Sequence, residues 1–513
     1  MATDSPQTPD PVSNTPAGSG RRRLQVAAPD WPGRAAPKPL GVDPAGFRIG
    51  VSVEAARHHI HVPGITGTGK STWLANLALT EAAAGRGLVV LDCQGDLADN
   101  VLARLPSDAA GRLVVLDPVE RAAPPAWNVL AAPSGAVEDA EGREHAARMV
   151  IETFRKVYAQ WWGPRMDEMF AAACLTLARR PGATLADVVP ILTEPGYHRP
   201  IIDRYGEPIG FEGFWAGFTA QSPAQRQQSC GAVISRLREV LSHRFAADLF
   251  AAPAATFDLT EILDGGILIA RLPKGEIGEG GVQLVGSLLL SGLWQATTGR
   301  AKIPPGERAD ATIIVDECHN FLHLPIGIDQ ALAEARGYRV SFVLAHQNLG
   351  QLPPEIRGAV DANARNKIVF AVSPDDARKL APHFEPIFDD TDLRHRDGYA
   401  ASVRIIDQGV MVEPFSVATE ALPPPVVGRA EQLRTAARAN AGLSRQRRDA
   451  TGRRRKLTTG KLGTGLADSG AGHGFSLPHS PAHSVPRSPA QLERASDRGT
   501  PGGASSQAAG GAL

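Results

Sequence analysis

Cysteines, aromatic residues and an excess of either charge are all scarce in this sequence. Among 513 residues there are only 4 cysteines, scattered and without a CxxC pair, and aromatic residues make up 5%. The cysteine pattern excludes a disulfide framework and indicates no zinc site, so we expect a reducing compartment. With few aromatic residues, a core must consist mainly of Ala, Leu, Val and Ile, which a hydrophobic content of 43% can supply.

Long apolar runs are lacking too. The longest lies near 282–294 and is interrupted by Gly286 and Gly292, whereas a membrane-spanning helix needs about 20 apolar residues. The polar, proline-rich start of the chain has no apolar segment typical of secretory signals. Lys plus Arg and Asp plus Glu number 54 each, so a DNA-binding surface would have to be local. We therefore expect a cytoplasmic protein with no direct membrane span.

Composition and periodicity divide the chain into five parts. Residues 1–45 and 429–513 are rich in small and polar residues, the second stretch also in basic ones, and are predicted to be disordered tails. In 46–136 and 256–428, short apolar runs alternate with helical patterns, which indicates an α/β core with a parallel sheet. Residues 137–255 have helical periodicity and are predicted to form an all-α domain that interrupts this core.

A glycine-rich loop follows the first predicted strand of the core. Residues 64–71 (GITGTGKS) match the phosphate-loop (Walker A) pattern GxxxxGK[ST], and a helical pattern follows directly. The backbone N–H groups of such a loop and the positive end of the next helix bind phosphate. We therefore expect ATP here, with Lys70 at the outer phosphates and Ser71 as a ligand of Mg²⁺. The predicted nucleotide-binding residues are Gly64, Thr66, Gly67, Thr68, Gly69, Lys70, Ser71 and Thr72.

Two carboxylates end an apolar strand pattern at 311–318, as in a Walker B motif. Carboxylates are costly to bury without a cation, so Asp316 is the predicted second ligand of Mg²⁺. Glu317 is the predicted general base for the attacking water. Gln347 follows the next strand pattern, where its amide could contact the γ-phosphate and report hydrolysis.

Two arginines are candidates for a finger that reaches the nucleotide of a neighbouring subunit. Arg336 lies between these two strands in the sequence, and Arg365 precedes the apolar run 366–372. Arg336 is the preferred candidate, and a surface ion pair is the alternative for each.

Several blocks in order resemble the type IV coupling proteins of conjugation and type IV secretion, which belong to the HerA–FtsK class of hexameric ATPases. They include HIHVPGITGTGKST, LDCQGDLADNVLARLP, ARLPKGEIGEGGVQLVGSLLLSGLW, IIVDECHNFL and VSFVLAHQNLGQLPPEIRGAVDANARNKIVFAVSPDDARKLA. The similarity spans roughly 46–420. It implies a RecA-like P-loop NTPase core, an all-α domain, a ring of six subunits and ATP-driven transport of DNA.

The resemblance also implies roles for residues and partners. Residues on the family's nucleotide-site motifs are Lys70, Ser71, Asp316, Glu317 and Gln347, with Arg336 where the family often carries its trans-acting arginine. The implied partners are DNA, further copies of the chain, and proteins of the relaxosome or of a type IV secretion channel. Family members usually carry two N-terminal transmembrane helices, which this sequence lacks, so recruitment to the inner face of the membrane would need a partner.

Two other functions stay open. The same motor could energise protein secretion, or the chain could be a nucleotide-gated switch or adaptor without motor activity.

Weaker patterns have structural interpretations. His58, His59 and His61 are interpreted as polar residues of a strand rather than metal ligands. Asp92 and Asp96 either support the metal or cap a turn. Some further residues are interpreted without a role in the chemistry. Cys318 is interpreted as a core residue, and Trp161 and Trp162 as core or subunit packing, with a partner-binding patch as the alternative. The basic run 445–456 is interpreted as a solvated tail, with DNA backbone as its alternative ligand.

Overall fold

The computed structural model of the protein describes residues 33–132, 139–324, 326–444 and 446–447. The strands in this part of the chain are β1 (Lys38–Val42), β2 (Arg48–Val51), β3 (Ile60–Pro63), β4 (Gly87–Asp92), β5 (Leu113–Leu116), β6 (Ile267–Arg271), β7 (Ala311–Val315), β8 (Val340–His346), β9 (Asn366–Val369), β10 (Ala400–Arg404), β11 (Ile406–Asp407), β12 (Val410–Met411) and β13 (Phe415–Ala418). Strands β11 and β12 pair with each other. The others form one large sheet in the order β2-β1-β13-β10-β9-β3-β8-β7-β4-β6-β5.

Helices cover both faces of this sheet. In chain order they are α1 (Val53–Ala56), α2 (Lys70–Ala83), α3 (Asp96–Leu102), α4 (Ala140–Val157), α5 (Pro164–Ala178), α6 (Val188–Thr193), α7 (Arg199–Tyr205), α8 (Phe214–Ala220), α9 (Pro223–Leu241), α10 (Arg244–Phe250), α11 (Leu259–Leu263), α12 (Lys274–Gly299), α13 (Ile328–Ala335), α14 (Pro354–Asn363), α15 (Pro374–Leu380), α16 (Asp390–Arg394) and α17 (Arg429–Ala441).

The central part of the sheet is parallel. Neighbouring strands from β9 to β5 run in the same direction, and they are the seven strands that the apolar runs of the sequence predict. The two faces of the sheet pack against two different hydrophobic cores. Successive side chains of β4 belong to these cores in turn, Val89 and Leu91 to one and Leu88 and Val90 to the other. Strands buried on both faces have continuous apolar sequences, so the predicted α/β core is confirmed.

Four antiparallel strands that the sequence patterns do not predict extend the sheet beyond β9. Because β1 begins at Lys38, the predicted disordered tail 1–45 is wrong at its C-terminal end. Strand β1 contains Pro39 and Gly41, which are both unusual in strands. A Cβ atom at Gly41 would overlap the backbone of Ala418 in β13, so this close pairing needs glycine.

The second predicted tail is wrong at its start, because α17 packs on the other edge of the sheet, along β5. Leu433, Ala437 and Ala441 are buried at a spacing of four residues. The Arg434 guanidinium pairs with Asp99 and Asp117. Alanine-rich helices bury little apolar surface per residue, so composition alone did not separate this helix from the polar stretch that follows it.

Between β5 and α11 the described residues form only helices, α4 to α10, and short 3-10 turns. They share a core with α12, which contains the longest apolar run of the sequence. Gly286 of α12 faces Phe321 so closely that a Cβ atom would overlap the ring, which explains why glycine interrupts the run. None of the helices in the described ranges is long and apolar enough to cross a bilayer.

Candidate functional site

The phosphate loop connects β3 to α2 in the middle of the sheet. Gly67 and Gly69 have φ angles of 82° and 101°, in the left-handed region that favours glycine, and Gly69 is the N-cap residue of α2. A Cβ atom at Gly64 would lie 2.7 Å from the Phe370 side chain. The glycines of the motif are therefore required by backbone conformation and by close approach, as a phosphate-binding loop demands.

Because β3, β8 and β7 are neighbours in the sheet, the three segments that follow them lie together on the side where the parallel strands end. The Lys70 Nζ atom lies 3.4 Å from Glu317 Oε1, and the Gln347 side-chain amide donates to the same oxygen at 2.8 Å. The Thr66 hydroxyl donates in turn to Gln347 Oε1 at 3.0 Å. The predicted proximity of the loop, the acidic strand end and the glutamine is confirmed, whereas their chemical roles stay predictions.

The charged groups at this edge are held out of water. Lys70 is 6% exposed, and Asp316 and Glu317 are 3% exposed each. Burial raises the pKa of Asp316 to about 7, opposed by the Lys70 ammonium and reinforced by the charges of Asp92 and Glu317.

Glu317 combines backbone strain with an unused oxygen. Its φ of 50° is in the left-handed region, which is costly for a residue with a side chain. Its Oε2 atom has no hydrogen-bond partner in the described structure, and His319 Nδ1 lies 3.6 Å away. Strain and unsatisfied polar atoms of this kind concentrate at functional sites.

The donors near the phosphate loop suit Mg²⁺. The Ser71 hydroxyl is exposed in the first turn of α2, and the Asp316 carboxylate follows the central strand β7. Hard oxygen donors are the ligands of Mg²⁺, which usually needs only one or two protein groups beside substrate phosphates. The described ranges contain no group of three or more His, Cys, Asp or Glu residues that could hold a metal unaided.

Asp92 caps a turn, which is one of its two interpretations. Its Oδ1 atom accepts from the backbone N–H groups of Gln94 and Gly95, and its Oδ2 atom accepts from that of Ala98. Asp96 lies in the first turn of α3, where an acidic side chain suits the helix dipole.

The two candidate arginines lie on the opposite side of the sheet, where the parallel strands begin. Arg336 ends α13 before β8, and one of its guanidinium nitrogens lies 3.4 Å from His58 Nδ1. The Arg365 N–H donates to the carbonyl of His58 just before β9. Burial lowers the pKa of His58, and the positive charges of Arg336 and Arg365 lower it further. Both arginines are exposed, and neither faces the phosphate loop of its own chain.

The other histidines of this region have structural partners. His59 accepts from the Phe342 N–H with Nδ1 and contacts the Leu332 carbonyl with Nε2. His61 and His346 lie under the phosphate loop with their Nε2 atoms 2.7 Å apart. Burial lowers the pKa of His59 to about 4 and that of His346 to about 3, so both rings are neutral. Of the three predicted strand histidines only His61 lies in a strand, because β3 begins at Ile60 and His59 has a φ of 59°. The interpretation of His58 and His59 as strand residues is therefore wrong.

The tryptophans differ from each other. Trp161 is 53% exposed, with the Arg236 guanidinium 4.3 Å from its ring centre. It is therefore not part of the core of this chain, and packing against another subunit or a partner stays a prediction. Trp162 packs edge-on against Phe170 and donates to Asp167. The helical periodicity ends before both residues, and sequence alone does not show which of them turns inward.

Two remaining expectations concern Cys318 and the basic run. Cys318 is fully buried and burial raises the pKa of its thiol, as expected for a core residue. Of the basic run 445–456, only residues 446–447 belong to the described structure. The predicted role of this run therefore concerns residues outside the described part of the chain.

One further residue at this site, Tyr399, was not predicted from the sequence. The Tyr399 N–H donates to the carbonyl of Thr68 in the phosphate loop at 2.8 Å. Tyr399 lies more than 300 positions from that loop and outside any apolar run, so no local pattern could have found it.

Comparison with known proteins agrees with this geometry. Residues 46–196 match the sequence model of the type IV secretion-system coupling protein DNA-binding domain. A search of curated proteins by sequence finds no match.

Solved structures show a similar fold. A bacterial conjugative coupling protein, TrwBdeltaN70, in its unbound form has a TM-score of 0.52 and 15% identity, and the match covers 75% of this chain and 89% of that one. The plasmid coupling protein TrwB in complex with ADP and Mg²⁺ has a TM-score of 0.51 and 15% identity, over 77% and 90% of the two chains. VirB4 of Thermoanaerobacter pseudethanolicus has a TM-score of 0.51 and 15% identity, over 78% and 99%.

The resemblance inferred from the sequence is thus confirmed from two sides. A sequence match over 46–196 and a shared fold over about three quarters of the chain show that this protein is similar to the coupling proteins of type IV secretion systems.

Proposed function

We propose that this protein is a Mg²⁺-dependent ATPase that moves DNA in conjugation or type IV secretion. The observation that carries the proposal is the convergence of Lys70, Glu317 and Gln347 on one another at the end of the phosphate loop. Three groups suited to binding phosphate, activating water and detecting hydrolysis meet there, although they come from segments that follow three different strands, β3, β7 and β8.

The proposed chemistry assigns one task to each side chain. Glu317 takes the proton of the attacking water, since its second oxygen has no partner and its first is held by Lys70 and Gln347. Gln347 also binds the Thr66 hydroxyl, so a displacement of Glu317 would be transmitted to the phosphate loop. Mg²⁺, held by Ser71 and Asp316, would neutralise charge on the phosphate oxygens.

The proposed site is shared between copies of the chain. The phosphate loop is at the carboxyl end of β3, and Arg336 and Arg365 are exposed at its amino end. Four strand residues at about 3.3 Å each separate the two ends, so these arginines serve the nucleotide of a neighbour better than their own. This arrangement favours a ring, for which six copies are the number that the sequence resemblance implies.

DNA is the proposed cargo. The sequence model that matches 46–196 describes a DNA-binding domain, and the similar TrwB structures are of conjugative coupling proteins. Relaxosome or secretion-channel proteins, and recruitment to the inner face of the membrane, belong to the same proposal.

The decisive experiment measures ATP hydrolysis with and without single- or double-stranded DNA, together with the mass of the oligomer. We expect hydrolysis that DNA stimulates and that weakens steeply with added salt, because phosphate contacts release counterions. Lys70→Ala should abolish it, whereas Lys379→Ala, at an exposed lysine of α15, should not.

The alternatives give other results. Hydrolysis that ignores DNA would favour an ATPase of protein secretion. Turnover below about one per minute with nucleotide-dependent partner binding would favour a switch or adaptor.

A further inference from the structure

Tyr399 is attached to the phosphate loop by its backbone. Its N–H donates to the Thr68 carbonyl at 2.8 Å, and its own carbonyl accepts from the Thr419 N–H at 2.7 Å. The segment between α16 and β10 is therefore fixed between the loop and the end of β13. This places the tyrosine at the same sheet edge as the phosphate loop.

The ring of Tyr399 packs on the residue that starts α2. A Cβ atom at Gly69 would lie 2.8 Å from both the Cα and the Cδ1 atoms of Tyr399, so the ring rests on the N-cap of the helix. The side chain nevertheless remains 53% exposed. The phosphate loop thus forms one support for the ring, and a large part of its surface is open to solvent.

The backbone of Tyr399 is strained. Its φ of 65° is in the left-handed region, which is unfavourable for an aromatic residue. The tyrosine holds this conformation although the residue before it, Gly398, could adopt it more easily. A side chain that is half exposed contributes little burial to offset this strain. A strained, exposed aromatic beside a binding loop indicates a functional rather than a structural requirement.

The order of strands gives the direction in which a bound nucleotide must extend. Strand β3 carries the phosphate loop, with β8 and β7 on one side of it and β9 and β10 on the other. Glu317 and Gln347, which follow β7 and β8, mark the side of the reacting phosphate. The nucleoside end must leave in the opposite direction, toward β10, where Tyr399 lies directly before the strand.

We propose that Tyr399 stacks on the base of the bound nucleoside triphosphate, an assignment that rests on the nucleotide site of the proposed function. A flat ring offers its face to any base, because stacking uses the π-face and not the hydrogen-bonding edges. Tyr399 therefore strengthens binding of ATP and GTP alike and does not choose between them.

The test uses Tyr399→Gly and Tyr399→Phe in the full chain. Glycine suits a φ of 65°, so Tyr399→Gly removes the ring without distorting the backbone. An unchanged or higher melting temperature of this variant would show that it is folded. We expect about tenfold weaker binding of MgATP and MgGTP, from the usual worth of one stacked base. Binding of magnesium tripolyphosphate, which has no base, should be unchanged. Tyr399→Phe should bind all three as the wild type does.

The outcomes separate this proposal from the one on which it rests. A wild-type protein that binds neither MgATP nor tripolyphosphate would overturn the nucleotide site, and the stacking role with it. If the wild type binds MgATP and Tyr399→Gly binds it equally well, only the stacking role is overturned. Equal losses of MgATP and tripolyphosphate in Tyr399→Gly would also overturn it, because the ring would then merely shape the loop.

Discussion

The two ends of the parallel strands carry charge in opposite ways. The side of the sheet on which these strands end is the carboxyl edge, and the side on which they begin is the amino edge. At the carboxyl edge, Lys70, Asp316 and Glu317 are buried, and Glu317 is strained. At the amino edge, Arg336 and Arg365 stand exposed around His58. Buried charge is costly unless something binds it, and exposed arginine is available to groups outside the chain. This difference is what the proposed function requires, with a ligand at the carboxyl edge and with cations at the amino edge that a second copy could use.

The largest effect should come from the amino edge. We expect Arg336→Ala to lower kcat about 10³-fold, the usual worth of an arginine that acts in trans. Because Arg336 is exposed, the melting temperature should hardly change. Mixing Arg336→Ala with Lys70→Ala protein should restore part of the activity, since each variant supplies the group that the other lacks.

The control is Arg378→Ala, at an exposed arginine of α15 that pairs with Asp375. Its kcat should equal that of the wild type. Normal kcat in Arg336→Ala would assign the role to Arg365 or to no arginine at this edge. A lowered kcat that mixing does not restore would place the function within one chain and remove the contrast between the edges.

The next effect concerns the carboxyl edge. Glu317→Gln preserves shape but cannot accept the proton, so we expect kcat to fall about 10²-fold with ATP still bound, as for the loss of a general base. Steady-state hydrolysis and the Kd of ATP measure the two quantities. Glu431→Gln, at an exposed position of α17, is the control. Undiminished hydrolysis in Glu317→Gln would exclude this carboxylate as the base.

The smallest effect is on stability. Burial raises the pKa of Asp316 from 3.8 to about 7, so the folded protein holds a proton that the unfolded chain releases. The contribution of this group therefore favours folding below about pH 4 and becomes unfavourable as pH rises through 7. A rise of about three in this pKa corresponds to at most about 4 kcal/mol, and relaxation of the site around a charged carboxylate would reduce this cost. We therefore expect Asp316→Asn to stabilise the nucleotide-free protein at pH 8 by about 2 kcal/mol, and not at pH 4.

Urea denaturation of both proteins at the two pH values, without Mg²⁺ or nucleotide, measures this difference. Adding both should reverse its sign, because only the wild type gains a bound cation. An identical pH dependence of the free energy of unfolding in the two proteins would mean that the charged Asp316 carboxylate does not destabilise the fold.

Much of the fold was predictable because its determinants are local. The seven parallel strands are short apolar runs buried on both faces, and the phosphate loop needs glycines at fixed spacing. The antiparallel extension was missed because β1 includes Pro39 and Gly41 and depends on pairing with a strand nearly 380 positions away. Helix α17 was missed because its stability comes from contacts with β5 and not from its own composition.

The candidate site was predictable only in part. Lys70, Asp316 and Glu317 follow from motifs, since residue type and spacing already express the chemistry of phosphate and metal binding. The cap formed by Asp92 and the contact of Tyr399 with the loop depend on where distant backbone atoms lie. No local pattern contains that information.

By itself, the sequence determined which segments become strands and which residue types are available for chemistry, because apolar periodicity and glycine spacing act over a few neighbouring residues. Only the tertiary structure decided that β8 and β7 lie on one side of β3 and β10 on the other. That order places Glu317 and Gln347 beside Lys70, Tyr399 across the loop from them, and Arg336 at the far edge. Strand order depends on long-range packing of the whole chain, and this is why it decides the geometry of the site.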